Sequence, residues 1–109
     1  MPIKAGNILQ SKVGNSVAAT TVTAFTLPAQ AMIVGLEGFG TITGTVTVQA
    51  RPINSATPVT FGTISAAQAA VGGPGDLSGA IPYDRQSVPV VITLLGATTG
   101  NIPVRVTFM

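Results

Sequence analysis

Cysteine, histidine and tryptophan are absent from the chain. Without cysteine there is no disulfide framework, no thiolate nucleophile and no thiolate zinc site. Without histidine the chain lacks the usual general base, the usual zinc ligand and the side chain that titrates near neutrality. Charge is almost as scarce. Lys4, Lys12, Glu37, Arg51, Asp76, Asp84, Arg85 and Arg105 are the only charged residues among 109. Most catalytic schemes cannot be staffed from that set, so the chain reads as a non-enzyme needing no cofactor or metal. The five basic residues are scattered and interleave with no aromatic platform, so the basic stripe that nucleic-acid binding requires is missing. A surface with 7% charged residues relies on threonine, serine, asparagine and glutamine for its polarity. Such a surface suits a protein that is partly covered by a partner.

Long hydrophobic runs are missing as well. Ala31–Leu36 and Val88–Leu95, the latter interrupted by Pro89 and Thr93, fall far short of the ~20 residues of a membrane span. The opening Met-Pro-Ile-Lys-Ala-Gly-Asn has no apolar core of a secretory signal, and no glycosylation sequon occurs. The expectation is a cytosolically made product that engages no membrane. Its length corresponds to one domain, which can bury roughly 65% of its extended surface.

What is present is β-patterning. In Gly40–Ala50, Ile42, Gly44, Val46, Val48 and Ala50 share one face, and Thr41, Thr43, Thr45, Thr47 and Gln49 share the other. That period of two marks a strand with one side in a core. Its β-branched residues suit a pleated surface and disfavour a helix. Gly44 within it signals a bulge or a close approach. Val17–Leu27 is a threonine- and valine-rich strand stopped by Pro28, and Ala31–Leu36 reads as a strand covered on both sides. Arg51–Pro58 is a polar loop. Beyond it, Val59, Phe61 and Thr63 alternate with Thr60, Gly62 and Ile64. Ser65–Val71 can form a single helical turn closed by Gly72-Gly-Pro-Gly75, and Asp76–Ser87 reads as loop. Val88, Val90, Ile92 and Leu94 share one face of a strand, as do Ile102, Val104, Val106 and Phe108 of another. Gly96–Gly100 between them reads as a hairpin loop. Pro89 and Pro103 imply edge or end positions, or bulges. Phe25, Phe61 and Phe108 are core candidates, whereas Phe39, between two glycines, suits either core or contact.

At least six short strands without a helix long enough to cover a parallel sheet imply an all-β fold. The expected form is a single antiparallel β-sandwich of jelly-roll or Greek-key type, with a β-barrel as second choice. Residues 1–16 lack sustained periodicity and read as an extended N-terminal arm with one short pairing segment, ahead of a sandwich domain over 17–109.

Tests for chemistry fail. Gly72–Gly79 lacks the lysine and the following helix of a phosphate loop, and Asp76 would repel a phosphate. Glu37, Asp76 and Asp84 lack the aromatic platforms of a sugar cleft, and Asp76 with Asp84 is too small a set for calcium. Candidate contact residues remain. Ile3, Ile8 and Leu9 would be wasted on a free tail, and Lys4 and Lys12 can meet an acidic surface. Arg51 heads the polar loop, and Tyr83 and Arg85 are residue types enriched at binding hot spots.

The segments Leu36-Glu-Gly-Phe-Gly40, Gly44-Thr-Val-Thr-Val-Gln-Ala50, Val59-Thr-Phe61, Val90-Val-Ile-Thr93, Gly96–Gly100 and Val104-Arg-Val-Thr-Phe108 carry a resemblance. Over roughly residues 32–109 the chain resembles the small β-sandwich capsid decoration, or cement, proteins of tailed bacteriophages. It departs from them after Gln49, where relatives often carry a Ser-Asn-Asp-Gly-Thr-Asn-Trp type stretch and this chain has Ala50–Pro58 without tryptophan. The resemblance implies a virion protein, made in the host cytoplasm, that binds the major capsid protein of the same virus on the outer head surface and clamps neighbouring capsomers. It also implies a homo-oligomer, a dimer or trimer. The alternatives are another phage structural sandwich, from a head fibre, tail or baseplate, or a carbohydrate-binding, adhesin-like module.

Overall fold

The computed structural model describes residues 8–77 and 87–109. Eight strands and one helical turn follow in the order β1 (Gln10–Asn15), β2 (Thr21–Leu27), β3 (Ile33–Gly38), β4 (Thr45–Pro52), β5 (Val59–Ser65), α1 (Ala66–Val71), β6 (Asp76–Leu77), β7 (Val90–Leu95) and β8 (Pro103–Phe108). They form two antiparallel sheets, a three-stranded one ordered β1-β8-β3 and a five-stranded one ordered β2-β7-β4-β5-β6. Among the described residues no helix is long and apolar enough to cross a membrane.

The expected sandwich is the observed one, and its winding is that of a jelly roll. The chain changes sheet between β1 and β2, β2 and β3, β3 and β4, and β7 and β8. The last strand thereby returns beside the first, and β7 lies between β2 and β4. At one side of the sandwich the segment 74–77 joins the sheets. Leu77 and Asp76 pair with Gly62 and Thr63 of β5, while Pro74 bridges Glu37 of β3 and the Gly75 N–H donates to the Leu36 carbonyl at 2.8 Å.

Period-two patterning decides what is buried. Val46, Val48, Ala50, Ile92 and Leu94 from one sheet face Val104, Val106, Phe108 and Leu36 from the other, all at most 4% exposed. Each such large aliphatic side chain stabilises the fold by roughly 1.5–3 kcal/mol relative to exposure. Of the face read over Gly40–Ala50, Ile42, Val46, Val48 and Ala50 are buried but Gly44 is exposed, and the strand begins only at Thr45. Gly44 interrupts it with φ +93°, a conformation suited to glycine, at a close approach to Thr98. Pro103 opens β8 opposite the end of β3, where a missing N–H costs the ladder nothing, and Pro89 immediately precedes β7. The helical turn over Ala66–Val71 is capped as its composition allows. The Gln68 N–H donates to Ser65 Oγ at 3.3 Å, and the Ser65 N–H to Gln68 Oε1 at 2.8 Å.

Four expectations need correction. Gly96–Gly100 is not a hairpin loop, because β7 and β8 lie in different sheets. The connection arches across the end of the sandwich, letting both strands turn their apolar sides toward a common core. Ala31–Leu36 is not covered on both sides: Ile33 and Leu36 are buried while Val34 is exposed. The strand expected from Val17 begins at Thr21, after a turn in which Thr20 N–H donates to the Val17 carbonyl and Ala19 has φ +54°. Finally, Phe61 and Ile64 lie on opposite faces by simple alternation, yet both are fully buried. Val48 pairs with Gly62 and Gln49 with Thr60, which leaves Phe61 as the extra residue of a bulge that resets the alternation.

The short pairing segment expected near the N-terminus is β1, hydrogen-bonded along β8 from Gln10↔Phe108 to Asn15↔Pro103. It is fastened at Ser16, a fully buried polar residue whose N–H and Oγ both donate toward the Ile102 carbonyl, at 2.8 and 3.2 Å, while Oγ lies 3.2 Å from the Ile102 N–H.

Two stability measurements follow. Ser16→Ala leaves the Ile102 N–H buried without its partner and should lower the urea unfolding free energy by about 1–3 kcal/mol. Gly96→Ala would drive a Cβ into the Val17 carbonyl. It should cost about 3 kcal/mol, near the upper range for overpacking, in the same titration.

Candidate interaction surface

The two outer faces of the sandwich differ in chemistry. On the five-stranded sheet, register aligns Thr23, Thr93, Gln49 and Thr60 across β2, β7, β4 and β5. Gln49 Nε2 donates to Thr60 Oγ1 at 3.2 Å within that row. This row is polar and uncharged; in the next outward row Thr26, Val91 and Arg51 align, and Val91 there is only 4% exposed.

The three-stranded sheet presents another surface. Register places Val13, Arg105 and Glu37 in one outward row across β1, β8 and β3. Arg105 Nη1 donates to Glu37 Oε1 at 2.7 Å, with the two side chains 53% and 43% exposed. The pair neutralises itself and adds little stability at that exposure. Apolar groups flank it: Val13 is 55% exposed and Phe39 64%. A shallow groove of about 310 Å³ runs here, lined by Val13, Glu37, Gly38, Phe39, Gly72, Pro103 and Arg105. Phe39 is held outward because Gly38 packs inward on Ile64 and Ile102, while the ring lies against Gly72 at the end of α1. The Gly40 N–H, donating to the Ala69 carbonyl at 2.9 Å, fixes the backbone on the other side of it. Beside it Val71 is 79% exposed.

Of the contact candidates read from the sequence, Ile8 and Leu9 are exposed, 44% and 64%, at the head of β1. Lys12 reaches across to the other sheet, where its Nζ donates to the Thr26 carbonyl at 2.7 Å. Arg51 is turned inward on its own loop. Its Nη1 donates to the Ser55 carbonyl at 2.9 Å and lies 3.4 Å from that of Pro52, so it organises the loop from within. Ile3, Lys4, Tyr83 and Arg85 lie outside the described residues, as does Asp84 of the candidate calcium pair. Gly72–Gly75 is the helix cap and the lead into β6, the turn its composition suggested. Among the described residues no cluster of three metal-ligating side chains forms.

The structure thus gathers Leu9, Val13, Phe39 and the Arg105–Glu37 pair around one sheet. Sequence reading singled out Leu9 and left Phe39 open between core and contact. It missed the ion pair, whose partners are 68 residues apart and which only the β3–β8 register brings together.

Arg105→Ala should change the unfolding free energy by less than about 1 kcal/mol, because both partners are solvated; a urea titration checks this. No family model, curated protein or solved structure matches the chain.

Proposed function

We propose that this chain is a virion structural protein, a capsid decoration protein that binds the outer surface of an assembled phage head and clamps neighbouring capsomers. The observation that carries the reading is the exposed apolar surface of Val13 and Phe39 around a self-neutralised Arg105–Glu37 pair. Exposed apolar side chains gathered on one face of a protein this poor in charge suit a surface that spends its working life covered. A docking face built this way meets its partner without stranding a buried, unpaired charge.

The rest of the molecule fits the role. A jelly roll whose central strands are packed on both edges is stiff, so little conformational freedom is lost on docking. Many copies on a repeating shell would turn a modest contact into a stable coat, because each copy that bridges two capsomers binds the second at high effective concentration. The resemblance of residues 32–109 to small cement proteins supports the same assignment.

The test is co-sedimentation of the full chain with heads assembled from the major shell protein of the virus that encodes it. The wild type should pellet with the heads. Phe39→Asp, a change at a 64% exposed side chain, should weaken occupancy about tenfold or more while leaving the thermal melt intact. A wild-type chain that stays in the supernatant, or a Phe39→Asp chain that binds equally well, overturns the reading.

A further inference from the structure

We infer that two copies of this chain associate through their β1 strands, forming one continuous six-stranded sheet about a two-fold axis at Val13. The inference concerns the isolated chain and stands apart from any role on a shell.

It begins with edges. The outer edge of β3 is bridged at Glu37 by Pro74 and at Leu36 by the Gly75 N–H, and β5 is flanked by the two-residue β6. β2 carries a register shift between Thr23 and Phe25, and Lys12 Nζ occupies its Thr26 carbonyl. β1 is different. It pairs with β8 on one side only, over six consecutive residues without a register shift. The Ser16 N–H donates to Ile102, and antiparallel bonds alternate from there, so Gln10, Lys12 and Gly14 direct their backbone groups at β8. Those of Ser11, Val13 and Asn15 point away from it, and among the described residues nothing bonds to them. A long, regular strand with an open edge is a template for another strand.

A second copy is the occupant that this edge fits. A two-fold axis at Val13 sets Ser11 opposite Asn15 of the second copy, and Val13 opposite Val13. All outward N–H and C=O groups of the three residues on each chain then find partners. The same register explains three exposed apolar side chains at once. Leu9, Val13 and Val17 are 64%, 55% and 39% exposed and are spaced symmetrically about Val13. Around the axis Val13 meets its own copy, and Leu9 and Val17, just beyond the two ends of β1, come to the same side of the new seam. Cross-strand apolar pairs of this kind are the unit of sheet stabilisation. Charge selects the register too. Lys12 falls opposite Gly14 of the second copy, whereas an axis at Lys12 would set two ammonium groups face to face, which is destabilising. The neighbouring charges on β8 and β3 are already paired as Arg105–Glu37.

The absence of cysteine makes the test clean. Light scattering coupled to size-exclusion chromatography on the full chain, at concentrations up to about 100 μM, should give a dimer mass. Val13→Pro removes only an outward N–H, which an edge strand tolerates. It should weaken the dimer roughly 30-fold or more, with the thermal melt retained, because the two central hydrogen bonds are lost. Under mild oxidation Val13→Cys should cross-link into a covalent dimer well ahead of Ala56→Cys on an exposed loop, since paired residues in such a sheet sit about 5.5 Å apart at Cα, within disulfide range. A monomer over the whole range, a trimer, or cross-linking no faster at 13 than at 56 overturns the inference.

Discussion

Val104, Val106 and Phe108 on one sheet and Val46, Val48, Ile92 and Leu94 on the other are shielded from water by packing across the sandwich in one shared core. Everything else in the molecule follows from satisfying that mutual burial. A strand with one apolar side needs a sheet across from it. The chain meets the need by changing sheet at four of its connections, so that β7 and β8, adjacent in sequence, end on opposite walls of the core. The close passage of Gly96 against the Val17 carbonyl, and the bulge that turns Phe61 inward beside Ile64, are local adjustments that this burial compels.

Scarce charge then shapes the surface. The five-stranded sheet turns threonine and glutamine outward in register, a wet and nearly neutral face. The three-stranded sheet turns out valine, with phenylalanine beside it, around a single ion pair that is already neutralised. The second face is suited to be covered. The open edge of β1 borders the second face. The proposed docking surface and the proposed self-pairing edge thus lie side by side on the same small sheet.

Much of this could be read from the chain alone. The alternation over Gly40–Ala50 and over Ile102–Phe108 marked which side chains are buried, because a period of two depends on the neighbouring residues only. The helix-friendly run Ser65–Val71, closed by Gly72, announced the helical turn for the same local reason. Of the surface, Leu9 was legible as an apolar residue without a periodic place in a core, whereas Phe39 stayed open between core and contact. For Arg51 the sequence left open what the guanidinium binds, and the structure shows it on the carbonyls of its own loop.

The sequence by itself determined the all-β class, the inward faces of the central strands and the poverty of reactive groups, since each depends on residue type and near-neighbour spacing. Tertiary structure alone decided which strands are neighbours. A glycine-bounded loop between two alternating segments serves a hairpin or an arch equally well, and only packing against a distant carbonyl and a second sheet selects the arch. It also decided that Arg105 meets Glu37, and that among the described residues β1 keeps one edge open, because register and edge position are properties of pairings between residues far apart in the chain.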